Sequence, residues 1–338
     1  MRQVFHIPAP PPSLPLSFAR PWLAPLAGYS DLPFRLLCRE LGAGVCETEM
    51  ISAKGLVFKS PPTSELLKST GIDSPLVIQL FGGEPESMAT VLLSLREAGY
   101  RYFDCNMGCP VRKVLRQKAG AALMADTDLA MQIAKAMLNA ASCPSEAPTA
   151  KVGFKLRLGI SPGKETYLEL GQRLEEAGAS WLTLHPRHAS QGYGGHAEWD
   201  HIAHLVQTVK IPVIASGDLM DAEAGHACIA MTGAATIMYG RGALRNPLIF
   251  TQHDSIAHTE TTPAIDRKAL ARIIGRHIEL TRIHCGNWRN FVKIRSFLPR
   301  YARFLPGTGE LRQKLAACTT WAGLDECISN FLNTADNI

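Results

Sequence analysis

"PLVIQLFGGEPESMATVLLSLREAGYRYFDCNMG", residues 75–108, is the stretch that decides the architecture. An apolar run (75–82) leads into a helix-period segment (84–99) that ends in Gly, a common helix stop, and a second apolar run follows (100–108). The same alternation continues on both sides. Strand-like runs stand at 22–28, 44–50, 75–82, 100–108, 150–159, 181–187, 212–218 and 235–242, with another helix pattern at 165–178. Eight strand–helix units in about 230 residues predict a (β/α)8 barrel, whose usual size is about 250 residues. An open doubly wound sheet is the rival, and it is disfavoured because no G-x-G-x-x-G follows the first strand. Beyond about residue 260 strand patterns stop, while 266–286 and 328–334 are helix-like. The expected organisation is a Pro-rich segment (1–20), a barrel (21–255) and a small helical C-terminal domain (260–338).

The 338-residue chain is 46% hydrophobic, enough for a sizeable core. No apolar run approaches the roughly 20 residues of a membrane-spanning helix. The first 21 residues hold six prolines and no compact apolar block, so they do not read as a secretory signal. Nine scattered cysteines form no disulfide framework, and a reduced, cytoplasmic protein is expected. The net charge of +5 is uneven: Arg267 to Lys314 carries twelve Lys/Arg against two acids, and the remainder 23 against 28. A basic appendage on a mildly acidic body suggests a polyanionic partner, with a solvated basic helix face as the plain alternative.

In such a barrel, chemistry belongs at the C-terminal ends of the strands. Ser216-Gly217-Asp218 and Gly240-Arg241-Gly242 end the last two, where loops frequently bind a phosphate through backbone N–H groups. Gln79, Lys155 and His185 end the third, fifth and sixth, and their side chains are expected to point toward the mouth. A Gln amide pairs with a ring imide and a Lys stabilises the anion of a reduced flavin, so the set reads as a flavin mononucleotide (FMN) cradle. Each alone is more often structural.

"FDCNMGCPVRK" (103–113) holds two cysteines four apart. A lone C-x3-C lacks the second ligand pair of a zinc site, so no metal is expected, and it is not the C-x-x-C of a thioredoxin-like redox pair. Strand alternation assigns Cys105 to barrel packing. Cys109 falls just past the strand, where a thiol meets a substrate or simply packs. The loop after it carries Arg112, Lys113, Arg116 and Lys118 with no acid, as a polyanion's backbone requires and as a merely soluble surface also shows.

These residues resemble the tRNA-dihydrouridine synthases, FMN-dependent enzymes that reduce particular uridines in tRNA. The resemblance is carried by "APLAGYSDLPFR" (24–35), "FDCNMGCPVRKVLRQKAGAALM" (103–124), "KVGFKLRLG" (151–159), "IPVIASGDL" (211–219) and "MYGRGALRNPLIF" (238–250), and the wording is most similar to the bacterial B-type branch. It implies that Pro25, Leu26 and Ala27 line the flavin, and that Gln79 and Lys155 contact its ring system. Ser216, Gly217, Asp218, Gly240 and Arg241 would hold its phosphate, NADPH would be the reductant, and Cys109 the proton donor. Asn106, Arg112, Lys113 and Arg116, with Lys293, Arg295, Arg300 and Arg303 of the C-terminal helices, would face the tRNA. Three places depart from the family's wording: "PLAG" lacks the usual Met, "SGD" stands for N-G-D, and "HPRHASQGYGG" (185–195) for an H-G-R-T segment. An FMN barrel acting on a small free pyrimidine, like the dihydroorotate dehydrogenases, and a non-catalytic RNA-binding protein are the rivals. The basic appendage argues against the first, Cys109 and the flavin set against the second.

Overall fold

The computed structural model describes residues 14–144, 148–259, 266–303 and 307–334. Most of the Pro-rich segment, and the 260–265 junction ahead of the last helices, lie outside the described residues.

Nine strands follow in chain order: β1 (Trp22–Leu23), β2 (Val45–Glu47), β3 (Ile51–Ser52), β4 (Leu76–Phe81), β5 (Tyr102–Asn106), β6 (Lys151–Leu156), β7 (Trp181–Leu184), β8 (Val213–Ser216) and β9 (Thr236–Tyr239). Eight of them close a parallel ring, because β1 pairs with both β2 and β9, and β2 pairs with β4. The fold is a (β/α)8 barrel followed by C-terminal helices. β3, which the sequence does not announce, lies outside the ring and pairs with the tip of β4, Ile51 opposite Leu80.

The barrel helices are α1 (Leu32–Glu40), α2 (Pro85–Glu97), α3 (Thr127–Ser142), α4 (Tyr167–Glu176), α5 (Asp200–Thr208), α6 (Ala222–Thr232) and α7 (Ile249–Thr259). Then come α8 (Arg267–Cys285), α9 (Trp288–Tyr301), α10 (Thr308–Ala317) and α11 (Trp321–Thr334). Local chemistry sets their starts: the Asp31 carboxylate caps α1 at the Phe34 N–H, Asp266 caps α8 at Ala269, and Asn287 caps α9 at Asn290. The Gly stops expected after α2 and α4 are Gly99 and Gly178, both in the left-handed region.

Strand residues alternate between two cores. On β5, Phe103 and Cys105 pack into the layer under the helices, while Tyr102 joins Trp22, Val45, Val77, Trp181 and Ile214 inside the barrel. Gly153 makes room for that interior: a Cβ there would lie 2.0 Å from the Trp181 indole. Two residues further along the strands the inner layer turns polar, with Glu47, Gln79, Asp104, Lys155 and Thr183. The C-terminal helices dock on α1, where the Phe34 ring meets His277 and Phe297, and Arg276 pairs with Glu40 at 2.6 Å.

Candidate functional site

An open-mouthed cavity of about 70 Å³ sits at the C-terminal ends of the strands. Pro25, Leu26, Lys155, His185, Ser216, Gly217, Asp218, Gly240 and Arg241 line it together, joined by Tyr193. Ala27 and Gln79 do not.

The β8 tip is shaped by close packing. Gly217 adopts φ +108°, and a Cβ would lie 2.7 Å from the His185 ring and 2.9 Å from Ala197. Asp218 is also left-handed (φ 54°), a conformation that costs about 1 kcal/mol for a residue with a Cβ. Its carboxylate holds the turn: it accepts from Arg187 at 2.6 Å, from the Ala197 N–H at 2.8 Å and from Arg241 at 2.8 Å. Burial opposes that charge, and the arginines and the amide overcome it, keeping the carboxyl below its ordinary pKa. Two guanidiniums against one carboxylate leave this end of the cavity cationic.

The Arg187 guanidinium also donates to His185 Nε2 at 3.1 Å, which places the histidine's own proton on Nδ1. Burial, with Lys155 and three arginines nearby, lowers the His185 pKa well below 6.5, so the ring is neutral. Lys155 is lowered from its ordinary value by burial, against the pull of Glu47 and Asp104.

Gln79 stands apart from expectation. β4 continues to Phe81, so Gln79 lies below the strand end, 1% exposed. Its Nε2 donates to Glu47 (3.1 Å) and Asp104 (2.8 Å), and its Oε1 accepts from Asn106 (2.9 Å). One lone pair of Oε1 is what remains of its amide for a ligand.

Cys109 lies across the mouth, half-buried beside Phe81, Val114 and Ala119. Asn106 Oδ1 accepts the backbone N–H of Cys109 at 2.9 Å. The Cys109 carbonyl accepts from Ala121 at 3.0 Å, and Gly120 approaches so closely that a Cβ would lie 2.7 Å from that carbonyl. The downstream "AGAALM" therefore folds back onto the cysteine. Burial raises the thiol's pKa, with the Val111 amide and Arg157 opposing, so the sulfur keeps its proton at neutral pH. Cys105 is fully buried.

Arg157, Arg187, Tyr193 and Arg245 escaped the sequence reading. Arg157 ties the two halves of the mouth, donating to the Gly108 carbonyl (2.8 Å) and to those of His188 and Gly192. The exposed Tyr193 ring lies 4.6 Å from the Arg241 guanidinium and 5.8 Å from that of Arg157. "KLR" and "HPR" put an Arg two residues past Lys155 and His185, which on a strand is the same face. That spacing was the available signal.

The expected RNA-facing cations divide by environment. Arg112, Lys113 and Arg116 are exposed, and no acid pairs with them among the described residues. Lys293 is held by Asp31 (2.8 Å) and Glu49 (3.2 Å), and Arg295 by the carbonyls of Leu315, Ala316 and Cys318. Arg300 donates to the Tyr29 hydroxyl at 2.7 Å and stays exposed, as does Arg303. Burial lowers the Arg245 pKa, and the positive charges of Arg303, Arg241 and Arg300 lower it further. Among the described residues no group of three or more His, Cys, Asp and Glu is placed to hold a metal ion, and no helix is long and apolar enough to cross a membrane.

The model of the family "Dihydrouridine synthase (Dus)" matches residues 22–336. The chain is 36% identical over 271 residues to tRNA-dihydrouridine synthase B of Yersinia pestis, covering 79% of this chain and 82% of that one. Against the Escherichia coli (strain K12) protein of the same name it is 36% identical over 258 residues, covering 75% and 78%. It is 33% identical to a probable tRNA-dihydrouridine synthase of Mycobacterium tuberculosis, over 94% of this chain and 84% of that one. In fold it is similar to histamine dehydrogenase from Rhizobium sp. 4-9, with a TM-score of 0.50 at 12% identity, covering 77% of this chain and 49% of that one. A barrel with this mouth, matched by the family model from β1 into α11, belongs to the dihydrouridine synthase family.

Proposed function

We propose that this enzyme reduces the C5–C6 bond of uridines in tRNA, with FMN in the cavity, NADPH as reductant and Cys109 as proton donor. Family membership and the relatives' names support the reaction, and one observation carries its chemistry. A thiol that keeps its proton follows β5, and a cationic, glycine-walled cavity lies at the tips of β8 and β9, on the other side of the ring.

The residues fit an FMN. Gly217 and Gly240 put no side chain between the backbone and the cavity, and Arg241 and Arg187 exceed Asp218 by one charge. Ser216, Gly217, Asp218, Gly240 and Arg241 would hold the phosphate, Pro25 and Leu26 one face of the ring system, and Lys155 and neutral His185 its polar edge. When bound and reduced, FMN supplies the hydride for C6 of the uracil.

Everything else falls to the chain. Lys155 stabilises negative charge at the ring edge. Cys109 gives its proton to C5 as charge develops there, and a raised pKa keeps that proton available at neutral pH. Arg157 holds the Cys109 loop against the 185–195 loop, so thiol and cavity keep their separation. A uracil between them must leave its stack, as bases do for enzymes that act on them. Arg112, Lys113 and Arg116 on one side, and Arg245, Arg300 and Arg303 on the other, hold the phosphate backbone.

The test is single-turnover oxidation of the pre-reduced protein by tRNA lacking dihydrouridine, with free uridine monophosphate alongside. Oxidation by the tRNA, with dihydrouridine found in it, supports the proposal. Equal rates with the free nucleotide would favour a small-pyrimidine enzyme.

A further inference from the structure

One layer beneath the mouth, a directed chain of hydrogen bonds rises from the barrel interior to Cys109. Glu47 on β2 and Asp104 on β5 flank Gln79 on β4, all three fully or almost fully buried. Both acids accept from the same Gln79 Nε2, at 3.1 and 2.8 Å. Gln79 Oε1 accepts from Asn106 Nδ2 at 2.9 Å, and Asn106 Oδ1 accepts the N–H groups of Gly108 (3.2 Å) and Cys109 (2.9 Å).

The polarity of each link is dictated by the one below. An ionised carboxylate only accepts, so Gln79 must turn its amino group toward the acids and its oxygen toward Asn106. Asn106 must then present its own amino group to Gln79 and its oxygen to the Cys109 loop. A reversed Gln79 would put oxygen against carboxylate, and a reversed Asn106 would point an amino group at two N–H donors.

We propose that Glu47 and Asp104 are positioning residues which, through the carboxamides of Gln79 and Asn106, fix the Cys109 loop and with it the place of the thiol in the mouth.

Stability does not account for the pair. Glu47 Oε1 and Asp104 Oδ1 each lack a hydrogen-bond partner among the described residues. Burial raises the pKa of both acids, and Lys155 offsets it only in part. Neutral groups of similar size in such a place are generally as stable or more so. Even when one acid takes up a proton, the orphaned oxygen can carry it, and the oxygen facing Gln79 still accepts.

The proposal's activity arm rests on Cys109 being the proton donor, but its geometric arm does not. The test uses full-length Glu47→Gln/Asp104→Asn, which keeps the volume and removes the imposed polarity, since an amide both donates and accepts. Iodoacetamide labelling of Cys109 is followed over time by peptide-resolved mass spectrometry, because Cys143 is exposed and also reacts. Expected are a Tm equal to or above the parent's and a Cys109 labelling rate shifted by about tenfold, the worth of the two loop hydrogen bonds. Asn106→Ala should shift the rate equally, and each single acid variant, with one carboxylate left, should stay within about threefold of the parent. Gln79→Leu cuts the chain at its second link and carries the same expectation should the double variant not fold. A parental labelling rate in the double variant or in Gln79→Leu overturns the proposal, as does a fall in Tm with labelling unchanged. If labelling shifts while single-turnover uridine reduction holds at equal flavin content, the positioning stands and the proton-donor assignment of Cys109 fails.

Discussion

Arg241 and Asp218 form an ion pair of 2.8 Å across the tips of β9 and β8, and Arg187 holds the same carboxylate at 2.6 Å. Arg241 therefore completes a turn that Arg187 can hold without it. Replacing it should remove charge from the cavity without collapsing the loop.

Arg241→Ala should keep the fold and weaken flavin retention by about tenfold, the worth of one charge-assisted contact. Flavin absorbance per mole of protein, read beside circular dichroism, measures this. Full flavin content in a folded variant would remove Arg241 from the phosphate site.

Gly217→Ala should be worse. Its Cβ must enter the His185 ring at 2.7 Å with the backbone at φ +108°, so a loss of about 2 kcal/mol in stability and of bound flavin is expected. Thermal unfolding with and without added FMN reads both effects, and a Tm equal to the parent's would mean that the turn is not as packed.

Burial raises the Asp104 carboxyl to about 7, with Gln79 and Lys155 pulling the other way. A group raised above its unfolded value of about 3.9 stabilises the fold at low pH, and that contribution is lost as pH rises through 7. Asp104→Asn escapes this loss. The Tm difference in favour of the variant should grow from pH 5 to pH 8, reaching a few degrees. A difference that shrinks over that range would contradict the burial of this charge.

The basic residues should separate into two kinds. Neutralising Arg245, Arg300 and Arg303 together should weaken tRNA binding and flatten its salt dependence, because fewer counterions are released. Lys293→Ala and Arg295→Ala should instead lower the Tm, since Lys293 bridges Asp31 and Glu49, and Arg295 ends α10. Filter binding across a salt series, with parallel melting curves, distinguishes the two groups.

Charge counting could not have made that division. Lys293 and Arg300 sit seven residues apart in one basic run, and their different fates depend on Asp31, Glu49 and Tyr29, more than 240 positions away. The alternation of strands and helices was legible because apolar runs and Gly stops are local signals. The strand tips were read too long: "AG" after β1 and "HPR" after β7 leave the ring to form the mouth, where pairing gives way to side-chain contacts. β3 is two residues held by register with β4, too short to leave a periodic signature. Lys155, His185 and the tips of β8 and β9 could be named from strand-end position, whereas Pro25 and Leu26 rest on the family resemblance and Tyr193 carries no such signal. The acids beneath could not, because nothing within the strand-like runs 44–50 and 100–108 marks Glu47 and Asp104 as buried partners until Gln79 is seen between them.

The central claim is that Cys109 is the acid and Cys105 is packing, and single-turnover oxidation of pre-reduced flavin by tRNA tests it most directly. Cys109→Ala should bind FMN and accept reducing equivalents from NADPH as the parent does, while uridine reduction falls by about 10²- to 10⁴-fold, the usual worth of a positioned general acid. Cys105→Ala, emptying a fully buried site under the helices, should lose some stability and keep that step. Parental single-turnover rates in Cys109→Ala, or their loss in Cys105→Ala alone, would contradict the account.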